Sequence, residues 1–291
     1  MACGFNHYTN QPRPEWLAAL AETASIDIDA LAAITRGQPD SQYGWWRGQR
    51  FSQNVLDRRG TADRRICPAC LIQSAHHRQI WDIKYIAVCP IHRCLLIDEC
   101  AKCGRPLQWH GREIVRCRCK LDLRSLHSPE VAAPEAEVTA AVYGLLGERS
   151  FKPQADLMRA MPPFRNLAGS DIADFLFRLG LERLGRRKKV FSTENVGEFA
   201  WEAHIALRLG LEAVQDWPDG LEREIDNMRE RWGGDGAKSL FRCAGAIEFW
   251  LSRLQPGSCG TAIKAAIIDY RAQDAKRKGR DVLARTTTRE R

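Results

Sequence analysis

Four closely spaced pairs of thiol and imidazole side chains crowd residues 67–119: Cys67 with Cys70, Cys89 with His92, Cys100 with Cys103, and Cys117 with Cys119. Thiolate and imidazole are zinc ligands, and a closed shell of four of them is the form a structural site takes. Two ligands with one or two residues between them can be aimed at one ion by a single tight turn, so each pair supplies half a site. Eight ligands make two tetrahedral Zn2+ ions.

Three other chemistries fit these residues less well. The count of eleven cysteines is odd and no secretory signal precedes them, which argues against a disulfide framework. A catalytic zinc keeps one position open for water, whereas here the ligands fill both shells. A redox Cys-x-x-Cys lacks its thioredoxin-like strand and helix. The simplest pairing is sequential, with Cys67, Cys70, Cys89 and His92 on one ion and Cys100, Cys103, Cys117 and Cys119 on the other. A cross-brace uses the same eight residues and stays open, and Cys94 could compete with His92. His76, His77 and His110 read as surface or packing residues. Zinc contributes about 10–16 kcal/mol to folding in finger peptides, so this short region is expected to unfold without metal.

The elements that must position these ligands divide the 291 residues into a helical segment over 1–60, a tandem zinc region over 61–127 and a helical part with a basic tail over 128–291. The expected fold is mainly α around a small central zinc-knuckle region. Residues 13–36 carry apolar side chains at helical spacing and read as two short helices that stop at Gly37. Tyr43-Gly44-Trp45-Trp46-Arg47 mixes aromatics with charge, and residues 57–65 form a polar boundary. Trp81 is expected to cap a miniature core.

Net charge is +8, which favours an acidic partner such as DNA. Residues 58–124 hold fourteen Lys/Arg against six Asp/Glu, and two zinc ions with seven thiolates would still leave that region about +5. No apolar run approaches 18 residues and the N-terminus has no signal-like pattern, so no membrane span is expected and a cytoplasmic, nucleoid-associated location is.

A resemblance rests on the middle of the chain. Cys67-Pro68-Ala69-Cys70-Leu71, Arg78 with Trp81, Cys89-Pro90-Ile91-His92, and Cys100-Ala101-Lys102-Cys103-Gly104-Arg105-Pro106-Leu107 together resemble the TniQ family. Its pattern is a CPxCL knuckle, R-x-x-W, a CPxH knuckle and CxxCGxxL. Glu15-Trp16-Leu17-Ala18-Ala19-Leu20-Ala21 is similar to that family's opening, departing from it at Glu15 and Ala19. Asp216-Trp217-Pro218 is similar to a W-P in its C-terminal half. The resemblance implies an accessory protein of a heteromeric transposon, which recognises DNA or a CRISPR effector complex on DNA and recruits an AAA+ ATPase.

Beyond Arg124 the sequence turns helical. Ser128-Pro129-Glu130 reads as a helix start, and Ser170 as the cap of an amphipathic helix with Ile172, Phe175, Leu176, Leu179 and Leu184 on one face. That helix runs into Arg186, Arg187, Lys188 and Lys189, which suit a helix C-terminus and could equally clamp a phosphate backbone. Further helices are expected over 194–215, 219–232, 238–254 and 260–276, the last two a candidate helix-turn-helix. Cys243 and Cys259 are expected to be buried.

Enzyme motifs fail on inspection. Gly233 to Ser239 lacks the glycines of a P-loop, and neither H-E-x-x-H, G-x-S-x-G nor the zinc-deaminase signature occurs. No catalytic residue is expected. The reading is a non-enzymatic, zinc-containing DNA-targeting adaptor, for which a homodimer is one available form. The alternatives are a zinc-dependent transcription regulator that works without an ATPase and a metal-dependent nucleic-acid hydrolase.

Overall fold

The apolar spacing of the C-terminal half builds a helical frame on which the metal-ligand region is mounted. In the computed structural model the described residues are 14–34, 43–46, 49–52, 64–108, 113–185, 200–232, 247, 251 and 260–277. They are mainly α-helical. Helices α1 (Pro14–Ala24) and α2 (Ile28–Ile34) lead into an antiparallel hairpin of β1 (Tyr43–Trp46) and β2 (Gln49–Ser52). Helix α3 (Pro68–Gln73) and a second hairpin, β3 (Val88–Cys89) with β4 (Cys94–Leu95), carry half of the candidate ligands. Helices α4 (Ala133–Leu145), α5 (Lys152–Ala160), α6 (Gly169–Arg183), α7 (Ala200–Gln215), α8 (Asp219–Trp232) and α9 (Thr261–Arg277) follow. Of the expected helix-turn-helix, the linker and nearly all of the first helix lie outside the described residues, as do Cys243 and Cys259. No helix among the described residues is long and apolar enough to cross a membrane.

The centre of the frame is the α6–α7 pair. Two glycines let their backbones touch: a Cβ on Gly180 would stand 1.7 Å from the carbonyl oxygen of Ala206, and one on Gly210 would stand 1.9 Å from that of Leu176. Ile172, Phe175, Leu176 and Leu179 of α6 are buried there, as their spacing requires. The buried cluster does not stop at the helices. It runs without a break from Phe51 through Ile66, Leu71, Trp81, Tyr85 and Leu96 to Phe177 and Tyr270. The Tyr85 ring lies 5.6 Å from that of Phe177 on α6, so the 64–96 segment shares one core with the helical frame. Trp81 is buried within that shared core rather than over a miniature one of its own. Helices α1 and α2 differ: Ala21 and Leu31 are buried, Trp16, Leu20 and Ile28 are exposed, and none of them belongs to the cluster.

Three local expectations are corrected. Ser128-Pro129-Glu130 does not start a helix, because hairpin pairing claims that stretch. Leu95 N donates to Pro129 O at 2.9 Å, Val131 N donates to Arg93 O at 2.8 Å, and Glu130 bridges Cys94. Helix α4 begins instead at Ala133, with Pro134 in its first turn. Ser170 is not the cap of α6. The capping position is Ala168, which makes no side-chain cap, and the Ser170 N–H is taken by Gln49 Oε1 at 2.8 Å, 121 residues away in sequence. The polar boundary at 57–65 ends inside the protein, with Arg64 and Arg65 buried.

Candidate metal centres

The first site is assembled by α3 and the β3–β4 hairpin. Pro68 opens α3 and Cys67 caps it, with the Cys67 sulfur accepting from Cys70 N at 3.4 Å. One short turn therefore points both sulfurs the same way. Cys89 ends β3, and the tight turn that follows, with Arg93 at φ +48°, delivers His92 to the same point. His92 Nδ1 lies 3.4 Å from Cys67 Sγ, 3.3 Å from Cys70 Sγ and 3.5 Å from Cys89 Sγ, and the Cys70 and Cys89 sulfurs are 3.6 Å apart. The four donor atoms all lie within 4.8 Å of one another.

The second site is built from two loops. Cys100 and Cys103 flank a turn closed by Gly104 N donating to Cys100 O, with Gly104 at φ +62°. Cys117 and Cys119 flank another, closed by Lys120 N donating to Cys117 O. The Cys100 and Cys119 sulfurs are 3.6 Å apart, those of Cys103 and Cys117 are 3.8 Å apart, and again all four fall within 4.8 Å. The structure thus groups the eight residues sequentially, not as a cross-brace.

These separations suit a metal. With zinc–sulfur bonds of about 2.3 Å and zinc–nitrogen bonds of about 2.0 Å, the edges of a tetrahedron come to about 3.5–3.8 Å. A disulfide would need about 2.05 Å, and all eight described cysteines are free. The protons tell the same story. In the first cluster, hydrogen bonds from Cys70, Cys89 and Cys94 hold the Cys67 thiol far below its ordinary range. Sharing with Cys67 pushes Cys70 up to about 12, and Cys89 rises as well, first through Cys67. In the second cluster burial pushes Cys117 up to about 12. At Cys100 burial is outweighed by the backbone N–H groups of Cys103 and Lys102, which bring the thiol to about 7.

The surroundings hold the ligands in place. Gln73, at the end of α3, puts its side-chain amide nitrogen 3.0 Å from His92 Nε2. A metal on Nδ1 leaves the ring proton on Nε2, and the Gln73 amide turned over would present its oxygen there as acceptor, the second partner that ligating histidines generally have. Two adjacent arginines divide the anchoring. Arg65 Nη1 donates to the carbonyls of Lys84 and Ile86, on the approach to Cys89. Arg64 Nη1 donates to Ile114 O at 2.8 Å and Nη2 to Arg116 O at 3.3 Å, on the approach to Cys117. Burial lowers the Arg64 pKa and the charge of Cys117 opposes that shift. Beside the second site Arg64, Arg105 and Arg118 line a cavity of ≈ 470 Å³ with Cys103, Cys117 and Cys119.

The other residues singled out by sequence fall elsewhere. Trp81 is buried beneath Arg78, whose guanidinium carbon lies 5.9 Å from the ring centre. His77 packs edge-on to Trp81 and bonds Asp82 at 2.8 Å, while His76 is exposed. Cys94 is buried with its sulfur 3.7 Å from that of Cys67, outside the four-donor group. His110 and the basic run Arg186, Arg187, Lys188 and Lys189 lie outside the described residues; α6 ends at Arg183. Arg64, Arg65 and Gln73 were missed, and the one available signal was the Arg64-Arg65 pair, one residue short of the first ligand.

No curated protein matches the chain. The TniQ family model matches residues 4–96, a span that takes in the opening around Trp16 and the whole first ligand set and ends before Cys100. Through this N-terminal third, the chain is similar to the TniQ family.

Proposed function

We propose that the protein is a zinc-containing DNA-targeting adaptor of a heteromeric transposon, one that selects the insertion site and recruits an AAA+ ATPase. The observation that carries this reading is the family match over residues 4–96, with the Cys67, Cys70, Cys89 and His92 cluster inside it. Zinc is the metal that three thiolates and an imidazole, or four thiolates, fit best. It would supply no reaction here, because each set of four protein donors closes the shell. The ions brace loops against a helical frame, and the protein acts through its surfaces: DNA, an AAA+ transposition regulator and, where targeting is guided by RNA, a CRISPR effector complex.

The net charge of +8 supports a polyanionic partner. Binding to DNA should weaken steeply as salt rises, since phosphate contacts release counterions. The decisive experiment is capture of the AAA+ protein encoded beside this chain, with and without ATP. ATP-dependent co-purification is expected. Tight binding of the isolated chain to a short operator, with no ATPase captured, would replace the adaptor with a transcription regulator.

A further inference from the structure

The first metal site has one sulfur more than it needs. Cys94 stands directly opposite Cys89 in the β3–β4 register, so the hairpin that presents one ligand presents a second thiol beside it. Its sulfur is 3.7 Å from Cys67 Sγ, the separation found between the Cys70 and Cys89 ligands (3.6 Å), and it is buried at 6% exposure. Cys94 is held there independently of any metal: Leu95 N and the Val131 N–H bond across the hairpin edge, and Cys94 itself bridges Glu130. The fourth ligand is tethered differently. His92 sits in the turn between the two strands, is only partly buried, and is held through the exposed side chain of Gln73.

We propose that Cys94 is a reserve ligand of the first site, taking the fourth position when the His92 imidazole leaves it. The inference rests on a zinc ion occupying that site. In the exchange the metal–Nδ1 bond breaks and a metal–sulfur bond to Cys94 forms. The Cys94 thiol gives up its proton, and the freed imidazole takes it up. A site of three thiolates and one imidazole becomes one of four thiolates, which zinc accepts equally well. With His92 in place, the Cys94 sulfur stays within hydrogen-bonding distance of the Cys67 sulfur, at 3.7 Å. Gln73 then decides the resting composition, because it orients the ring that competes with the spare thiol.

The test counts metal and sulfur donors in four full-length proteins: wild type, His92→Ala, Cys94→Ala and the double variant. Zinc content is read by elemental analysis. Cobalt-substituted samples then report donors through thiolate-to-cobalt charge transfer and the d–d bands. Wild type, Cys94→Ala and His92→Ala should each hold two metals, and the double variant one. The cobalt spectrum of His92→Ala should gain charge-transfer intensity and move its d–d bands to lower energy, as a nitrogen gives way to sulfur. Loss of one metal from His92→Ala, or its failure to fold, would overturn the reserve ligand while leaving the zinc reading intact. A wild-type protein without two metals would overturn the zinc reading, and this inference with it.

Discussion

The two ligand sets use the same chemistry in opposite settings. Around the first, Ile66, Leu71, Ile80, Trp81, Ile83, Tyr85, Ile86 and Val88 are buried, and the segment reaches Phe177 of α6. Around the second, only Cys100, Leu107 and Leu123 are buried between residues 100 and 124, among the described residues. Cys103, Cys117 and Cys119 remain partly exposed. A metal at the first site closes a corner of an existing hydrophobic core, whereas a metal at the second stands in place of one. The expectation that the whole 61–127 region depends on metal alone therefore divides. Its first half has apolar packing of its own, and its second half is held by ligands, turns and Arg64.

Ligand removal should expose that difference most strongly. Cys70→Ser leaves a poor ligand in a buried cluster that is continuous with the helical frame. It should destabilise the entire chain by about 4 kcal/mol, or prevent soluble folding. Cys117→Ser should leave the main thermal transition nearly in place and abolish amide protection only around residues 100–124. Circular dichroism melts with hydrogen exchange on both variants would show it, and equal loss of global stability would dissolve the distinction between the regions.

The frame can be attacked without touching a ligand. Gly180→Ala places a Cβ 1.7 Å from a backbone carbonyl, which only separation of α6 from α7 can relieve. The expected cost is about 3 kcal/mol. Because Phe177 on α6 supports Tyr85, zinc should leave the first site at lower denaturant than in the wild type while the second site keeps its metal. Metal release followed against urea for each site would check it.

Arg64 offers the converse. Its guanidinium pins the carbonyls of Ile114 and Arg116, so Arg64→Met should loosen the Cys117–Cys119 loop by about 2 kcal/mol. Under a zinc chelator one of the two ions should then be lost faster, with the other unchanged. A uniform acceleration at both sites would mean that the arginine supports the fold generally and not the second site in particular.

Much of the site was legible because its information is local. A proline between two cysteines, or a turn between a strand and a histidine, aims ligands through spacing alone, so the eight ligands could be read from the sequence, while their sequential grouping needed the fold. Apolar periodicity likewise gave α6, with Ile172, Phe175, Leu176 and Leu179 buried as expected and Leu184 just past its end, only partly buried. What stayed hidden depends on partners far along the chain. Arg64 and Arg65 look like solvated charge until carbonyls 19–52 residues away are brought to them. Ser128-Pro129-Glu130 has the residue order of a helix start, yet pairing with β4 outweighs that preference. Cys94 looked like a competitor for His92, and no spacing rule could have placed it on the Cys67 side.

Gln49 belongs to neither metal site and still joins their supports. Its amide nitrogen donates to Leu145 O at 2.9 Å, at the end of α4, and its oxygen accepts from Ser170 N at the start of α6. Two helix ends are thereby joined by one side chain from the first hairpin. Gln49→Ala should cost about 1 kcal/mol, since Arg159 also reaches Leu145 O at 3.5 Å. If the first site draws its stability from the shared core, this loss should lower the temperature at which its zinc is released by the same amount as it lowers the melting of the helices. The second site's release should not move. Release of both ions in step with helix melting would show that the Cys100–Cys119 loops are as firmly tied to the frame as the rest.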